Sequence, residues 1–440
     1  MELKDKRVMV IGLGVSGRAA ARFLASRGAM VVMTDRRPDL AREQMPPGEL
    51  HLGAEDPAWL KGIDLVVASP GVPPTSPLMR QAAALRIPVI GELELGYRFV
   101  RAPIVAVTGT NGKSTVTVLL GAIFRAGGRT AFTGGNLGTP LIAAASDSFD
   151  VAVVEVSSYQ LETIERFKPA VAIHLNLTDD HLDRYRDLAE YGRAKARIFE
   201  NQEQGDWAVL NRDDPEVWKL ARTVRSRVFS FGMTRPERKP AIWCESGALA
   251  FNDGERSGRI ALSCFKPRGV HNLFNAMAAA AAALVMKVEP EVVERTLADF
   301  TSLPHRLEFV RAHLGAEWID DSKGTNVGAV VEALNATPGP IILIAGGMDK
   351  GGDYAPLRVL LERKVKLLIL LGAAREKMRM ALAGATTVEC VATLPEAVRL
   401  AAAQARPGDK VLLSPACSSF DQFKDYAERG RVFQELVRAL

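Results

Sequence analysis

A glycine-rich stretch with adjacent lysine and serine residues gives the strongest chemical signal in the sequence. Residues 108–115 read TGTNGKST, follow the apolar run IVAV and precede the helical pattern TVLLGAIFRAGG. Glycines let backbone N–H groups curl around phosphate oxygens, and the start of a helix adds partial positive charge. Lys113 can reach the β- and γ-phosphates of a nucleotide, and the Ser114 hydroxyl can bind Mg²⁺. The pattern predicts an ATP site, although Val107 stands where the longer GxxxxGK[ST] pattern has its first glycine.

A second glycine-rich loop lies near the amino terminus. The stretch VMVIGLGVSGRAAARFLASRG places Gly12, Gly14 and Gly17 in a GxGxxG pattern, and the next predicted strand ends at Asp35. This arrangement is typical of dinucleotide binding. Three interpretations stay open: helix–strand packing without a ligand, a nicotinamide cofactor, or another nucleoside diphosphate group. The ATP loop favours the last, because a dehydrogenase needs no ATP, whereas a ligase acting on a UDP-linked substrate needs both sites.

Acidic residues and a histidine follow the next predicted strands. Glu155 stands near the end of a strand beside the predicted phosphate loop, where an acid can hold Mg²⁺ directly or through water. The segment LNLTDDHLDRY then brings together Asp179, Asp180, His181 and Asp183. We expect this segment to lie beside Glu155 and the phosphates. The alternatives are an acid that faces water at the sheet edge and a histidine satisfied by ordinary hydrogen bonds.

Further polar residues lie on later helices and at a domain junction. Taken alone, Lys195 in YGRAKARIFE is interpreted as a solvated lysine. Arg306, in FTSLPHRLE, has the rigid fork that suits a polyphosphate or an adenine nucleoside, and an interdomain ion pair is the alternative. Asn272 and Asn275, in HNLFNA, share one predicted helix face. A side-chain amide at this position can recognise adenine. The alternative is that it only caps the helix or forms hydrogen bonds with polar groups in the core.

Length and composition exclude several classes of protein. The chain has 440 residues, a formal net charge of +5 and four cysteines, which lack CxxC spacing. We expect two to four domains and neither disulfides nor a zinc site. Nucleic-acid binding is not expected, because the charge is small and no basic run stands out. No signal peptide is visible and the longest apolar run, around residues 276–286, is too short for a bilayer. These features predict a cytoplasmic protein without membrane insertion.

Predicted strands alternate with helices, which indicates an α/β protein with mainly parallel sheets. The predicted strands of the first unit are 7–11, 31–34, 64–68 and 88–90. Those of the second are 104–109, 151–157, 170–177 and 207–214, followed by antiparallel alternation near 242–251 and 259–262 and a helix over 270–287. Those of the third are 317–322, 341–347, 366–372 and 410–416. We expect three domains over residues 1–93, 94–302 and 303–440.

The whole chain resembles the Mur ligases. The resemblance rests on GLGVSG, SPGVP, TGTNGKST, GGNLGTP, EVSSYQLE, DDHLDRY, AKARIF, HNLFNA, LPHRLE, DDSKGTN, AGGMDKG and LLSPACSSFDQFKDYAERG. It implies a Rossmann-like N-terminal domain that binds a UDP-linked substrate, a phosphate-loop ATPase-like central domain and a Rossmann-like C-terminal domain that admits an amino acid. SSYQLE, HLDRY and the last three motifs point to the branch that adds D-glutamate.

The implied activity is ATP-dependent addition of D-glutamate to UDP-N-acetylmuramoyl-L-alanine, through an acyl phosphate, in peptidoglycan precursor synthesis. Its partners would be these small molecules, and we expect a monomer. Another Mur ligase would carry a different third-domain pattern, and a folylpolyglutamate synthase would lack the first domain. An NAD(H)-binding dehydrogenase and a non-catalytic ATP-gated binding module are the alternatives from other classes.

The resemblance also implies residues for the UDP-linked substrate. Those that would wrap the pyrophosphate are Gly14, Val15, Ser16 and Gly17. Asp35 and Arg36 are expected near the uridine, and Arg37 and Gly71 are also expected in this pocket. Asn136 and His181 would approach the muramoyl-alanine end.

The implied ATP and metal sites lie at the central domain, and the C-terminal domain contributes some of the residues at ATP. The residues expected at ATP are Gly109, Thr110, Asn111, Gly112, Lys113, Ser114, Thr115, Asn275, Arg306, Asp321 and Lys323. Two Mg²⁺ ions would be held by Ser114, Glu155, His181 and a carbamylated Lys195. Lys113, Glu155, His181 and Lys195 would carry the catalysis.

The implied D-glutamate site lies in the C-terminal domain. Its expected residues are Thr325, Lys350, Ser419 and Tyr426. Two positions depart from the family pattern: Tyr426 stands where phenylalanine is often found, and Gly324 stands where alanine is common.

Overall fold

Three separate β-sheets organise the protein. The structure, a computed structural model, describes residues 1–181, 184–267 and 269–440. Within these ranges the sheets have five, nine and six strands, each flanked by helices. The predicted α/β class with mainly parallel sheets is confirmed.

The N-terminal sheet is entirely parallel, in the order β3-β2-β1-β4-β5. Its strands are β1 (Arg7–Ile11), β2 (Met30–Asp35), β3 (Glu49–Leu52), β4 (Leu65–Ala68) and β5 (Val89–Gly91). Its helices are α1 (Val15–Ser26), α2 (Pro77–Ala84) and α3 (Glu92–Tyr97). The GxGxxG loop joins β1 to α1, so it lies at the carboxyl ends of the strands, where parallel sheets bind ligands.

The central sheet has the order β14-β13-β12-β11-β10-β9-β6-β8-β7, in which the β12–β13 and β13–β14 pairs are antiparallel and the other pairs are parallel. Its strands are β6 (Ile104–Thr108), β7 (Ala131–Gly135), β8 (Val151–Glu155), β9 (Val171–His174), β10 (Trp207–Asn211), β11 (Arg227–Gly232), β12 (Ala241–Glu245), β13 (Ala248–Asn252) and β14 (Ser257–Ala261). Its helices are α4 (Lys113–Ala126), α5 (Ser158–Leu161), α6 (Leu188–Ala196), α7 (Pro215–Trp218), α8 (Val270–Val285) and α9 (Pro290–Asp299).

Strand order in the central sheet decides which loops meet. β6 lies between β8 and β9, with Val107 beside Glu155 and Thr108 beside His174. Since all three strands are parallel, the phosphate loop, Glu155 and the segment after His174 reach the same edge. On one face, the alanine-rich helix α8 packs against α4 with residues Ala276–Leu284 fully buried. Small side chains allow this close approach, which fixes the helix that starts at the phosphate loop.

The C-terminal sheet has the order β15-β16-β20-β17-β18-β19, with β15 antiparallel to β16. Its strands are β15 (Glu308–His313), β16 (Ala316–Asp320), β17 (Ile341–Gly346), β18 (Val365–Leu371), β19 (Val388–Cys390) and β20 (Lys410–Leu413). Its helices are α10 (Val327–Ala336), α11 (Arg358–Lys364), α12 (Arg375–Ala381), α13 (Leu394–Gln404) and α14 (Tyr426–Arg438).

The predicted strands are all present, but several end earlier than predicted. The strand predicted over 170–177 ends at His174, and the one predicted over 410–416 ends at Leu413. In both cases the remaining residues turn into loops that line the cleft described below. The strands that the sequence interpretation lacked are β3, β7, β11, β15 and β19. None of the helices in the described part of the chain is both long enough and apolar enough to cross a bilayer.

Candidate active site between the central and C-terminal domains

The phosphate loop connects β6 to α4. Gly112 has φ +87°, a left-handed conformation that favours glycine, and a Cβ there would lie 2.3 Å from Asn275 Oδ1. Helix α4 begins at the next residue, Lys113, whose Nζ donates hydrogen bonds to the carbonyl oxygens of Gly109 (2.9 Å) and Thr110 (2.7 Å). The ammonium group therefore lies over the loop, where phosphate oxygens are expected, and Asn275 lies directly beside it.

Asn176 and Thr178, in the loop that follows β9, hold the phosphate loop in its conformation. Asn176 Oδ1 accepts from the Asn111 N–H (2.8 Å), and Asn176 Nδ2 donates to the Asn111 carbonyl (3.1 Å). The Thr110 hydroxyl donates to the Thr178 carbonyl (3.1 Å) and accepts from the Thr178 N–H (3.0 Å). The sequence interpretation missed the roles of Asn176 and Thr178. The sequence feature that could have identified them is their position just after an apolar strand, at the edge of the sheet where ligands bind.

Lys195 is not the solvated lysine that its local sequence suggested. Its side chain lies on α6, is only 1% exposed and donates from Nζ to the Gly109 carbonyl at 2.8 Å. Nζ also lies 4.5 Å from the centroid of the Tyr191 ring. Burial, together with the nearby Lys113 ammonium, holds the pKa of Lys195 well below its ordinary value. The structure thus brings a buried lysine with a weakened hold on its proton to the phosphate loop.

Glu155 has one carboxylate oxygen without a partner. Asn136 Nδ2 donates to Oε1 at 2.8 Å, whereas the buried Oε2 has no hydrogen-bond partner among the described residues. Burial raises the pKa of Glu155, but the charge of Lys113, the hydrogen bond from Asn136 and the nearby Ser114 hydroxyl outweigh it, so the pKa is lowered. An ionised, buried carboxylate beside a phosphate loop fits a hard divalent cation.

His181 and Asp180 lie in the loop after β9. His181 has φ +57°, and its Nδ1 is 2.9 Å from the Tyr159 hydroxyl. Burial lowers the pKa of His181 to about 4, so its imidazole is neutral at physiological pH and able to bind a metal. His181 Nε2 is 3.7 Å from Asp180 Oδ2, and Lys350 Nζ is 3.6 Å from Asp180 Oδ1. Asp183 of the predicted cluster falls outside the described residues.

The C-terminal domain contributes a buried carboxylic acid, Asp321, to the cleft. Asp321 Oδ2 accepts from the Ser414 hydroxyl at 2.7 Å, and burial raises the pKa of Asp321 to about 7. A Cβ at Gly324 would lie 2.5 Å from Asp321 Oδ2 and 2.7 Å from Ser414 Oγ. The missing side chain at position 324 therefore leaves room for the Asp321–Ser414 hydrogen bond.

Lys323 and Tyr426 form a pair in the same domain. Lys323 Nζ lies 3.7 Å from the centroid of the Tyr426 ring, within cation–π distance. Burial, followed by repulsion from Arg306, lowers the pKa of Lys323 to about 7. The Ser322 hydroxyl donates to the Tyr426 carbonyl at 2.8 Å and so fixes the start of α14.

A cavity of about 970 Å³ separates the central and C-terminal domains. The predicted site residues that line it are Asn111, Gly112, Thr115, Asn275, Arg306, Asp321, Thr325 and Lys350. Ser419, Lys323 and Tyr426 are not part of this lining, and Ser419 is only 2% exposed. Gly109, Thr110, Lys113 and Ser114 of the phosphate loop also lie outside the lining. The cleft therefore brings together part of the residues predicted for ATP and part of those predicted for the amino acid.

The N-terminal domain has its own pocket of about 400 Å³ at the GxGxxG loop. The predicted residues that line it are Gly14, Val15, Ser16, Asp35, Arg36 and Gly71. Gly17 instead packs against Gly12, the residue after β1, because a Cβ at position 17 would lie 1.8 Å from the Gly12 carbonyl oxygen. Asn136 and His181 belong to the central domain, so this pocket does not bring them together with the other residues predicted for the same substrate.

Asp35 is committed to shaping the first loop. Its carboxylate accepts from the Leu13 N–H (2.6 Å) and from the Arg37 N–H and guanidinium (3.0, 3.0 and 2.9 Å). Burial raises its pKa, but these hydrogen bonds prevail and lower it to about 2. Arg36 pairs with Glu55 at the pocket rim. Asp35 is thus ionised and tied to the loop backbone.

Comparison with known proteins identifies relatives over the full length. The Mur ligase MurD-like N-terminal domain matches residues 6–91, the Mur ligase middle domain matches 107–283, and the Mur ligase glutamate ligase domain matches 305–417. The UDP-N-acetylmuramoylalanine--D-glutamate ligase of Geotalea daltonii is 48% identical over 100% of this chain and 99% of its own length. The protein of the same name from Geotalea uraniireducens is 47% identical over the same shares. The solved pseudomurein peptide ligase type C of Methanothermus fervidus shares the fold, with a TM-score of 0.63 and 22% identity over 99% of this chain and 100% of its own.

Proposed function

The chain belongs to the Mur ligase family, and we propose that it is an ATP-dependent ligase that joins D-glutamate to UDP-N-acetylmuramoyl-L-alanine during the assembly of peptidoglycan precursors. The observation that carries this proposal is the cleft in which the phosphate loop faces Lys350 and Thr325 of the C-terminal domain. Full-length similarity to curated D-glutamate ligases supports the choice of amino acid. The reaction would take place in the cytoplasm on a monomer, with domains divided near residues 93 and 302.

The two nucleotides would bind in different domains. The pocket lined by Gly14, Ser16 and Asp35 would take the uridine diphosphate group, with Gly17 and Arg37 supporting the loop from behind. The muramoyl-alanine end would extend toward Asn136 and His181. ATP would lie across the phosphate loop, with its adenine near Asn275 and with Arg306, Asp321 and Lys323 closing from the C-terminal domain.

The residues around the phosphate loop fit bound Mg²⁺. The unpartnered Oε2 of Glu155, the Ser114 hydroxyl and the neutral imidazole of His181 are suitable donors, and a carbamate on Lys195 would add an anionic one. We propose two ions held by these four residues. When bound, Mg²⁺ neutralises charge on the phosphates and on the carboxylate that must approach them.

Burial prepares Lys195 for carbamylation. Only a neutral amine attacks CO₂, and the lowered pKa of Lys195 raises the neutral fraction. The nitrogen forms a bond to the carbon of CO₂ and releases one proton, which leaves a carbamate anion. That anion would replace the present contact between Lys195 Nζ and the Gly109 carbonyl.

Two steps account for the reaction. A carboxylate oxygen of the L-alanyl end attacks the γ-phosphorus, the bond to the bridging oxygen breaks, and ADP leaves. The acyl phosphate then accepts the D-glutamate amine at its carbonyl carbon, and inorganic phosphate departs from the tetrahedral intermediate as the amine loses a proton. Lys113 would stabilise the charge that develops on the phosphoryl oxygens, so positioning and electrostatics supply most of the catalysis.

The amino acid would be held by the C-terminal domain. Lys350 and Thr325 lie in the cleft and suit one carboxylate of D-glutamate. Ser419 and Tyr426 would serve the other, and because they lie outside the lining of the cleft, a small rearrangement of their loop is part of this proposal.

The decisive experiment measures ADP formation by the purified chain with UDP-N-acetylmuramoyl-L-alanine, Mg²⁺ and ATP, with and without D-glutamate. We expect ADP and the dipeptide product only when both joining partners are present. L-Alanine, L-glutamate and meso-diaminopimelate serve as matched alternatives. Equal turnover with one of these would reassign the amino acid, and no turnover with any would contradict the ligase.

A further inference from the structure

Asn326 connects three parts of the molecule and is not among the residues assigned above. It precedes helix α10 of the C-terminal domain and is 8% exposed. Its partners include Asn111 of the phosphate loop and Asp180 of the loop after β9, both in the central domain. Asn326 thus bridges the cleft.

The side chain of Asn326 uses its oxygen and its nitrogen differently. Oδ1 accepts from the Ala329 N–H at 2.8 Å and caps α10, and it also accepts from Asn111 Nδ2 at 3.4 Å. Nδ2 donates to Asn111 Oδ1 and to Asp180 Oδ2, both at 3.1 Å. Because the cap requires the oxygen on the helix side, the amide nitrogen is fixed toward the central domain.

The two acceptors of the Asn326 amide nitrogen, Asn111 and Asp180, lie in parts of the molecule proposed to act in the reaction. The Asn111 backbone is hydrogen-bonded into the phosphate loop through Asn176. Asp180 lies next to His181 and is 3.6 Å from Lys350, a residue proposed for D-glutamate. Asn326 also follows Thr325 directly. One side chain therefore contacts the nucleotide loop and the acid that faces the amino-acid subsite.

We infer that Asn326 is a positioning residue that couples closure of the C-terminal domain over the phosphate loop to formation of the D-glutamate subsite. Its hydrogen bonds to Asn111 and Asp180 exist only when the two domains are together. They stabilise the arrangement in which Lys350 and Thr325 face the loop. This inference rests on the proposed function for the identity of the amino acid, but not for the closure itself.

A purely structural role as a helix cap is the competing explanation, and the chain allows the two to be separated. Aspartate and serine cap helices about as well as asparagine. Neither supplies an amide donor, and Asn326→Asp also places a carboxylate against Asp180. Both variants should keep α10 intact while removing the hydrogen bonds that Nδ2 donates across the cleft.

The experiment combines steady-state kinetics with a direct measurement of closure. Exposed Cys264 and Cys390 lie in the central and C-terminal domains, so they accept a donor and an acceptor dye once the partly buried Cys244 is replaced by serine. Energy transfer is recorded with Mg²⁺ and a non-hydrolysable ATP analogue. Melting temperatures and the KM values for ATP, D-glutamate and the UDP-linked substrate are measured in parallel. Thr393→Ala, which removes the cap of α13, is the matched control.

We expect Asn326→Asp to raise KM for D-glutamate by at least about tenfold, with kcat lowered by less than about threefold, because a smaller closed fraction weakens binding. Asn326→Ser should act in the same direction, and both should reduce energy transfer at an unchanged melting temperature. Thr393→Ala should leave KM and energy transfer unchanged.

Wild-type energy transfer and KM in both Asn326 variants would overturn the inference, as would a fall in melting temperature that accounts for the kinetic change. If wild type forms no product with D-glutamate, the proposed function fails, while the energy-transfer result still decides closure.

Discussion

The two glycine-rich loops of this protein share a strand–loop–helix design but differ in how their charges are used. In the N-terminal loop, Asp35 is fully engaged with Leu13 and Arg37, and Arg18 Nη1 donates to the Leu13 carbonyl at 3.1 Å. In the central loop, Lys113 and Lys195 share the Gly109 carbonyl as an acceptor. At the first loop the acid Asp35 is paired with Arg37, whereas the second loop has two lysine side chains over its backbone.

This difference is what we expect if the first loop only binds phosphate and the second loop takes part in phosphate transfer, as proposed. Phosphate that is only held needs backbone N–H groups and a helix start, which the first loop provides without a lysine. Phosphate that is transferred needs charge placed where it develops in the transition state. The unpartnered oxygen of Glu155 lies beside the second loop, and the carboxylate of Asp35 beside the first loop is saturated with hydrogen bonds.

The largest effect is expected from Lys113→Ala. Under the proposed function, the Lys113 ammonium faces the transferred phosphoryl group, so removing it should lower kcat by about 10²–10³-fold. The measurement is ADP release with all substrates saturating. Arg18→Ala is the matched variant of the first loop, and it should change kcat by less than about threefold because its charge meets no transferred group. Similar losses in both variants would break the distinction between the loops.

Lys195→Ala should reduce activity by at least about 10²-fold, since it removes the proposed carbamate. Added formate or acetate should restore part of the activity, because a small carboxylate can occupy the vacated position. The same anions should not restore Lys113→Ala, which lacks a cation rather than an anion. Near-normal turnover of Lys195→Ala without added carboxylate would remove Lys195 from the site.

Gly17→Ala tests the packing of the first loop. A Cβ at this position would lie 1.8 Å from the Gly12 carbonyl oxygen and 2.7 Å from Ser69 Oγ. The backbone must shift to accommodate the added methyl group, and this shift should destabilise the N-terminal domain by about 1–3 kcal/mol. Faster amide hydrogen exchange confined to β1 and β2 would report it, while the strands of the central domain serve as the internal control. Exchange that is unchanged in β1 would contradict the close approach.

The smallest effect is expected from Gly14→Ala. The structure has open space around a Cβ at this position, and Gly14 lines the N-terminal pocket. The added methyl should leave stability unchanged and raise KM for the UDP-linked substrate about three- to tenfold, with KM for ATP unaltered. An unaltered KM for the UDP-linked substrate would move the pyrophosphate away from this loop.

Local sequence patterns predicted much of the fold and the central elements of the site. Apolar runs located the strands β6, β8 and β20, and glycine with lysine located the phosphate loop. Short or edge strands such as β3 and β19 were missed, because three or four half-exposed residues give little periodic signal. Lys195 was misinterpreted from its own surroundings, because a helix pattern does not reveal which neighbours cover a polar side chain.

The sequence by itself determined which segments become strands, which loops carry glycine and which side chains follow each strand, because these properties depend on neighbours along the chain. Only the tertiary structure decided that Lys195 meets Gly109, that Asn326 bridges to Asn111 and Asp180, and that Gly324 makes room for Asp321 and Ser414. Those contacts join residues of different elements or domains. They depend on strand order and on how the domains pack, and neither can be inferred from the residue pattern of a short segment.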